Sequence, residues 1–192
     1  MDTDVYKAPE SEIIADSIEK EEFYIVSPSK FLILQISTLG IYSIYWFYKH
    51  WQQYKTKHQE EIWPIARGIF QIFFVHALFA SFYLRAKEKD ASLNWSAEDK
   101  ATIFVLVSIA GVILSFFETK ITTILGMLPF PIVTWILYQS QFVANQACDD
   151  PKGEKNAQIT GLNVLWIILG GVWWLFTLLG LYLMVVVGPE GF

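Results

Sequence analysis

The charged positions divide the chain into five runs free of Asp, Glu, Lys and Arg: 31–48, 68–84, 101–117, 121–148 and 156–189. A helix needs about 20 predominantly apolar residues to cross ~30 Å of hydrocarbon, and ~17 is the short limit. The first three runs, at 18, 17 and 17 residues, stand at that limit, whereas the last two, at 28 and 34, exceed it. Each run therefore predicts a membrane helix. Residue chemistry at the boundaries agrees. Ser27 followed by Pro28 suits an N-cap with proline at the first helical position. Ser96 with Asp99 three residues later has capping-box form, and Cys148 to Gly153 reads as a turn that stops the fourth helix. Only Glu118, Thr119 and Lys120 separate the third run from the fourth, which predicts a tight helical hairpin.

The expected fold is all-α: a polytopic membrane bundle of four to five transmembrane helices, with spans at about 31–48, 68–84, 101–117, 121–148 and 160–187. Residues 1–30 form an acidic tail ahead of it. Beyond the first run, Phe47, Trp51, Tyr54, His58, Ile62 and Ile65 recur every three or four residues, one helical stripe. This predicts an amphipathic helix lying in the interface, with Tyr45, Trp46, Tyr48, Lys49, Trp51, Tyr54 and Lys55 at headgroup level, where aromatic rings settle and lysines snorkel. Trp63-Pro64 ends that helix.

Composition agrees with a lipid solvent: 54% hydrophobic and 17% aromatic residues against 17% charged. The net charge of −5 resides in residues 1–30, where three lysines meet eight acids, and the rest balances. Neither this balance nor the Lys49, Lys55, Lys57 segment, closed by Glu60 and Glu61, offers the broad basic face that nucleic acid requires. The single Cys148 excludes an intramolecular disulfide and a cysteine-rich zinc site. Residues 1–20 lack the apolar stretch of a cleavable signal peptide. With five spans and the N-terminus in the cytoplasm, Lys and Arg divide nine inside to five outside. A re-entrant 68–84 gives ten to four with the N-terminus outside, and a re-entrant first run gives eight to six.

The order Ser27-Pro-Ser-Lys30-Phe31, then "TLGIYSIYWFYKHW" from Thr38, then "IWPIARGIFQIFF" from Ile62, resembles a bacterial domain-of-unknown-function family of small multi-spanning inner-membrane proteins. A TLGIYxxYWFYKxW signature marks that family. The likeness covers about residues 23 to 90, and the chain departs from it at Ile65-Ala66-Arg67, where an aromatic-Arg pair is usual. "VYKAPESE" near the start is similar to the acidic opening of small bacterial membrane proteins. The resemblance implies a bacterial inner-membrane location, with no established activity.

Candidate chemistry is sparse. His50, His58 and His76 lack metal-ligand spacing, and no GxSxG elbow, P-loop or GxGxxG occurs. No enzyme, cofactor or metal centre is expected. Polar residues within apolar runs are functional candidates. Gln71, His76, Gln139 and Gln141 are singled out, beside Gln35, Asn145, Gln146 and Asn163, although interhelical hydrogen bonding accounts for most such residues. His76 could titrate near neutral pH. Gly170-Gly171 suits close helix packing. The expected role is a non-enzymatic protein that binds partners, supports structure or senses the envelope, its partners being the bilayer and other membrane proteins or itself. The alternative is a small transporter or channel built on a fourth span broken at Pro129-Phe130-Pro131 and lined by Gln139 and Gln141.

Overall fold

The computed structural model describes residues 21–117 and 119–187. The acidic tail before residue 21, with Glu118 and the last five residues, lies outside the described residues. What is described is all-helical: α1 (Pro28–Ser37), α2 (Tyr42–His58), α3 (Pro64–Ile69), α4 (Gln71–Lys89), α5 (Ala97–Leu114), α6 (Lys120–Leu125), α7 (Pro129–Ala147) and α8 (Gly161–Tyr182), which runs on into a π-helical turn at Leu183–Val187.

The first apolar run is not one helix. Thr38 Oγ1 donates to Leu34 O at 2.7 Å and accepts from Tyr42 N at 3.0 Å, closing α1 and opening α2 with one side chain. Between them Leu39 and Gly40 take φ of 51° and 87°. The glycine meets this left-handed conformation without a Cβ penalty. The chain then doubles back. Glu22 pairs with His58 at 2.8 Å, Tyr24 N donates to His50 Nδ1 at 3.2 Å, and the Phe31 ring packs against those of Trp46 and Tyr42. Residues 22 to 37 therefore descend antiparallel to α2 and leave both ends of this hairpin at one level.

The second run behaves alike. Pro64 opens α3, and Gly68 lies so close to α2 that a Cβ there would meet Ile44 O at 2.9 Å. Gln71 Nε2 reaches Ser43 Oγ at 3.4 Å, so α3 ends at the depth where α2 began. From there α4 climbs beside α2 until Arg85 Nε meets Glu22 at 3.1 Å. The run 31–48 is thus divided between α1 and α2, and the run 68–84 between α3 and α4, in two hairpins open toward the same end. Hydropathy registers neither the Thr38–Gly40 turn nor the Phe70 kink (φ −94°, ψ 39°).

The remaining helices are longer in reach. α5 runs antiparallel to α4, with His76 Nε2 3.2 Å from Thr102 Oγ1, and continues past the hairpin tips. As expected, Ser96 caps it by accepting from Asp99 N. α7 returns. The fourth run is interrupted at 126–128, and Pro129 occupies the first turn of α7, where its missing N–H costs nothing. Two helical segments are long and apolar enough to cross a membrane, Lys120–Ala147 and Gly161–Tyr182. α8 passes the first hairpin tip at Gly170, where a Cβ would collide with Ser37 O, as the expected close packing requires. Beyond that point Trp174 Nε1 donates to Ile36 O at 2.8 Å.

One end of the molecule collects the charges. Glu22 bridges His58 and Arg85, Arg85 also holds Glu88, Lys89 pairs with Asp149, and Lys155 with Glu21. Beneath this end lies an aromatic core of Phe23, Phe31, Trp46, Phe47, Trp51 and Phe82, each 0–1% exposed. The opposite end consists of 115–117, 119–128 and the close of α8, and its large apolar side chains face outward: Phe116 is 78% exposed and Phe176 69%.

Candidate functional site

Residues Phe23 to Val26 form an extended strap, buried although no neighbouring strand accompanies them. Their backbone polar groups must still be satisfied, and side chains from two helices do this. Gln141 and Asn145 lie one turn apart on α7 and so share a face. Gln141 Nε2 donates to Tyr24 O at 3.0 Å and to Asn145 Oδ1 at 2.7 Å. Asn145 Nδ2 donates to Val26 O at 3.0 Å, while its Oδ1 accepts from Val26 N at 3.4 Å. The Gln141 Oε1 accepts from Trp46 Nε1 and lies 3.4 Å from His50 Nε2. Asn156 Nδ2 holds Ile25 O at 2.9 Å, and the Cys148 thiol points at Phe23 O at 3.7 Å.

His50 is fixed by this network. Because Nδ1 accepts from Tyr24 N, the proton sits on Nε2 and faces Gln141 Oε1. Complete burial pushes its pKa down to about 3, against a smaller opposing effect of the Gln141 hydrogen bond. The ring is neutral and serves as a clamp for the strap.

Beside the strap lies a groove of about 360 Å³. Tyr42, Tyr45 and Tyr48 of α2 form one wall, Ile65 and Ile69 of α3 a second, and Trp166 of α8 a third. The tyrosine rings form a ladder, Tyr42 to Tyr45 at 5.8 Å and Tyr45 to Tyr48 at 6.3 Å, and Tyr24 stands against Tyr45 at 6.0 Å.

The residues expected at headgroup level separate into three groups. Trp46 and Trp51 belong to the core, which corrects their placement at the interface. The cause is that the strap and α4 cover the face of α2 that carries them; Phe82, for example, is 5.9 Å from Trp46. Trp51 is also covered by the Arg67 guanidinium, 4.2 Å from its ring. Tyr54 packs on Phe23 at 6.2 Å, so the Phe47 to His58 stripe faces protein. Tyr45 and Tyr48 face the groove, whereas Lys49 bonds Gln52 and Lys55 bonds Ile62 O, each at the edge of α2.

Of the polar candidates, Gln141 stands at the centre of the strap network. Gln71 touches Ser43, and exposed His76 touches Thr102. Gln139 Oε1 is buried without a hydrogen-bond partner. Gln141 is fully buried within its bonds, whereas Gln139 is half-buried. Asn163 caps α8 through Thr160 and makes no interhelical bond there. Sequence reasoning missed the strap, His50 and Asn156. The available signal was the short apolar Phe23-Tyr-Ile-Val26 between two acids and Ser27-Pro28. Among the described residues no three His, Cys, Asp or Glu side chains converge to hold a metal. No family model matches the chain, and no curated protein or solved structure matches it significantly.

Proposed function

We propose that the chain is a multi-pass membrane protein in which α5, α7 and α8 cross the bilayer. The two hairpins dip in from the cytoplasmic side, and the assembly serves as a non-enzymatic platform for lipid or partner proteins. One observation carries this reading. Of the fourteen Lys and Arg, Lys7 and Lys20 fall outside the described residues, and of the remaining twelve only Lys120 lies at the far end. On the same twelve residues a five-span arrangement divides seven against five, so eleven against one is a far stronger bias, and the side richer in Lys and Arg faces the cytoplasm whatever its acids. Between the ends, α8 exposes apolar side chains around nearly its whole circumference, with Gly170 its one buried residue, as a lipid-facing helix does. The resemblance in residues 23 to 90 supports a bacterial inner membrane.

The arrangement is tested with alkaline phosphatase and fluorescent reporters fused after Glu61, Asn94, Thr123 and the C-terminus. The expected result is cytoplasmic Glu61 and Asn94, with Thr123 and the C-terminus outside. A Glu61 fusion active outside the membrane overturns it, because the first hairpin would then cross.

A further inference from the structure

The tyrosine groove has a charged rim. Lys30, Leu34 and Thr38 recur every four residues and so share one face of α1. Leu34 and Thr38 line the groove, and Lys30 stands one turn nearer the charged end. Lys30 is 4% exposed. Its ammonium donates to Asn156 Oδ1 at 2.6 Å and to Gln158 O at 2.7 Å, and no carboxylate pairs with it among the described residues. An ammonium has three donors, so one is left over on a buried cation held only by neutral oxygens.

Two further features meet at the same rim. Asn156, whose Oδ1 accepts from Lys30, donates its Nδ2 to the Tyr24 hydroxyl at 3.0 Å, and the Tyr42 hydroxyl, buried on the groove wall, lies beside that of Tyr24 without a well-formed hydrogen bond. The 22-residue α8 starts there too, with Asn163 of its first turn on the wall, so the positive end of its dipole adds to the field of Lys30. A volume near 360 Å³ falls in the range of small-ligand sites.

We infer that this groove holds one acyl chain of an anionic phospholipid of the cytoplasmic leaflet, with the lipid phosphate at Lys30 and the start of α8. The inference rests on the membrane reading above for its lipid supply. An apolar partner helix would fill the groove and leave Lys30 uncompensated. A free phosphate would neutralise Lys30 and leave the apolar walls empty. A zwitterionic headgroup brings its own cation to a rim that is already positive. Basic pockets between membrane helices on the cytoplasmic side bind anionic headgroups in this manner.

The test uses the full chain, purified in mild detergent and exposed to equal concentrations of dioleoyl phosphatidylglycerol and dioleoyl phosphatidylcholine, with retained lipid counted by native mass spectrometry. One phosphatidylglycerol retained at least about tenfold over phosphatidylcholine is expected. Lys30→Gln should remove that preference. Ile69→Trp, at a half-exposed wall position away from the Lys30 bonds, should block retention of both lipids while the melting temperature stays unchanged, which keeps the test decisive if Lys30→Gln unfolds. Equal retention of the two lipids, or retention indifferent to Ile69→Trp, marks ordinary surrounding lipid and overturns the site. Displacement of the lipid by millimolar inorganic phosphate assigns the rim to free phosphate and overturns it as well. The reporter fusions are independent of this assay, so failure of the topology and failure of the groove are told apart.

Discussion

The two ends of this molecule are built from similar side chains put to opposite use. At the charged end, Trp46, Trp51, Phe79 and Phe82 are enclosed by protein on every side, and a polar network threads between them. At the far end, the equally apolar Phe116, Phe117, Ile121 and Phe176 are left mostly uncovered by the described residues. Apolar surface must leave water, but the burial can come from the protein or from lipid. The charged end is covered by the chain itself. On the membrane reading proposed above, lipid covers the far end.

The charged end depends most on Gln141. Substitution Gln141→Leu keeps a side chain of similar size on α7 but removes the amide and strands Trp46 Nε1, Tyr24 O and His50 Nε2 inside the core. At 1–3 kcal/mol for each buried unsatisfied group, the loss is about 4 kcal/mol. A melting transition lowered by many degrees in detergent and early proteolysis near Tyr24 should follow. A variant that melts like the parent would show that the strap is not held by these bonds.

At the far end the same logic predicts indifference to apolar exchange and intolerance of charge. Leu175 is 69% exposed on α8 and touches no network. Leu175→Phe should leave the protein unchanged, whereas Leu175→Arg should cost ~3 kcal/mol of insertion free energy, read as the fraction of α8 inserted in a glycosylation-mapping assay. Equal insertion of the two variants would place α8 outside the hydrocarbon.

Much of this architecture was legible from the residues alone. The all-helical class, the N-caps at Ser27 and Ser96, the turn after Ala147 and the close packing at Gly170 follow from local chemistry that tertiary structure leaves intact. The hairpins were hidden because an uncharged window says how apolar a segment is and not whether it bends. Thr38, Leu39 and Gly40 carry the bend in three residues inside an apolar run. The aromatic stripe of α2 was correctly periodic, but periodicity finds the buried face without naming what buries it. Strap and lipid are equivalent covers at that level of description, and the choice between them rests on Gln141 and Asn145, about ninety residues away in the sequence.

Acidification should loosen one end alone. The folded pKa of His50, about 3, lies below its ordinary value of 6.5. Protonation therefore favours the opened state: stability is complete above pH ~6.5 and declines by up to ~1.4 kcal/mol per pH unit as pH falls toward the folded value. Hydrogen exchange at Tyr24 to Val26 should quicken between pH 6.5 and 4.5, beyond the intrinsic trend, while α8 keeps its protection. His50→Gln should flatten that dependence.

The smallest expected effect falls on the ion pairs of the charged end. Lys89 and Asp149 meet at an exposed edge, where the Lys89 hydrogen bond holds the carboxyl below its usual range. Exposed pairs contribute 0.2–1 kcal/mol and are screened by salt, so Lys89→Ala should shift melting by little more than the error, and by nothing in 0.5 M salt. The eleven cations at this end matter by their count and side, because orientation follows the summed Lys and Arg bias and not any single bridge. Adding lysines at Thr122, Thr123 and Met127 should disturb the orientation of the reporters while each native ion pair stays intact. Such a result would separate the slight energetic role of the charges from their role in setting orientation.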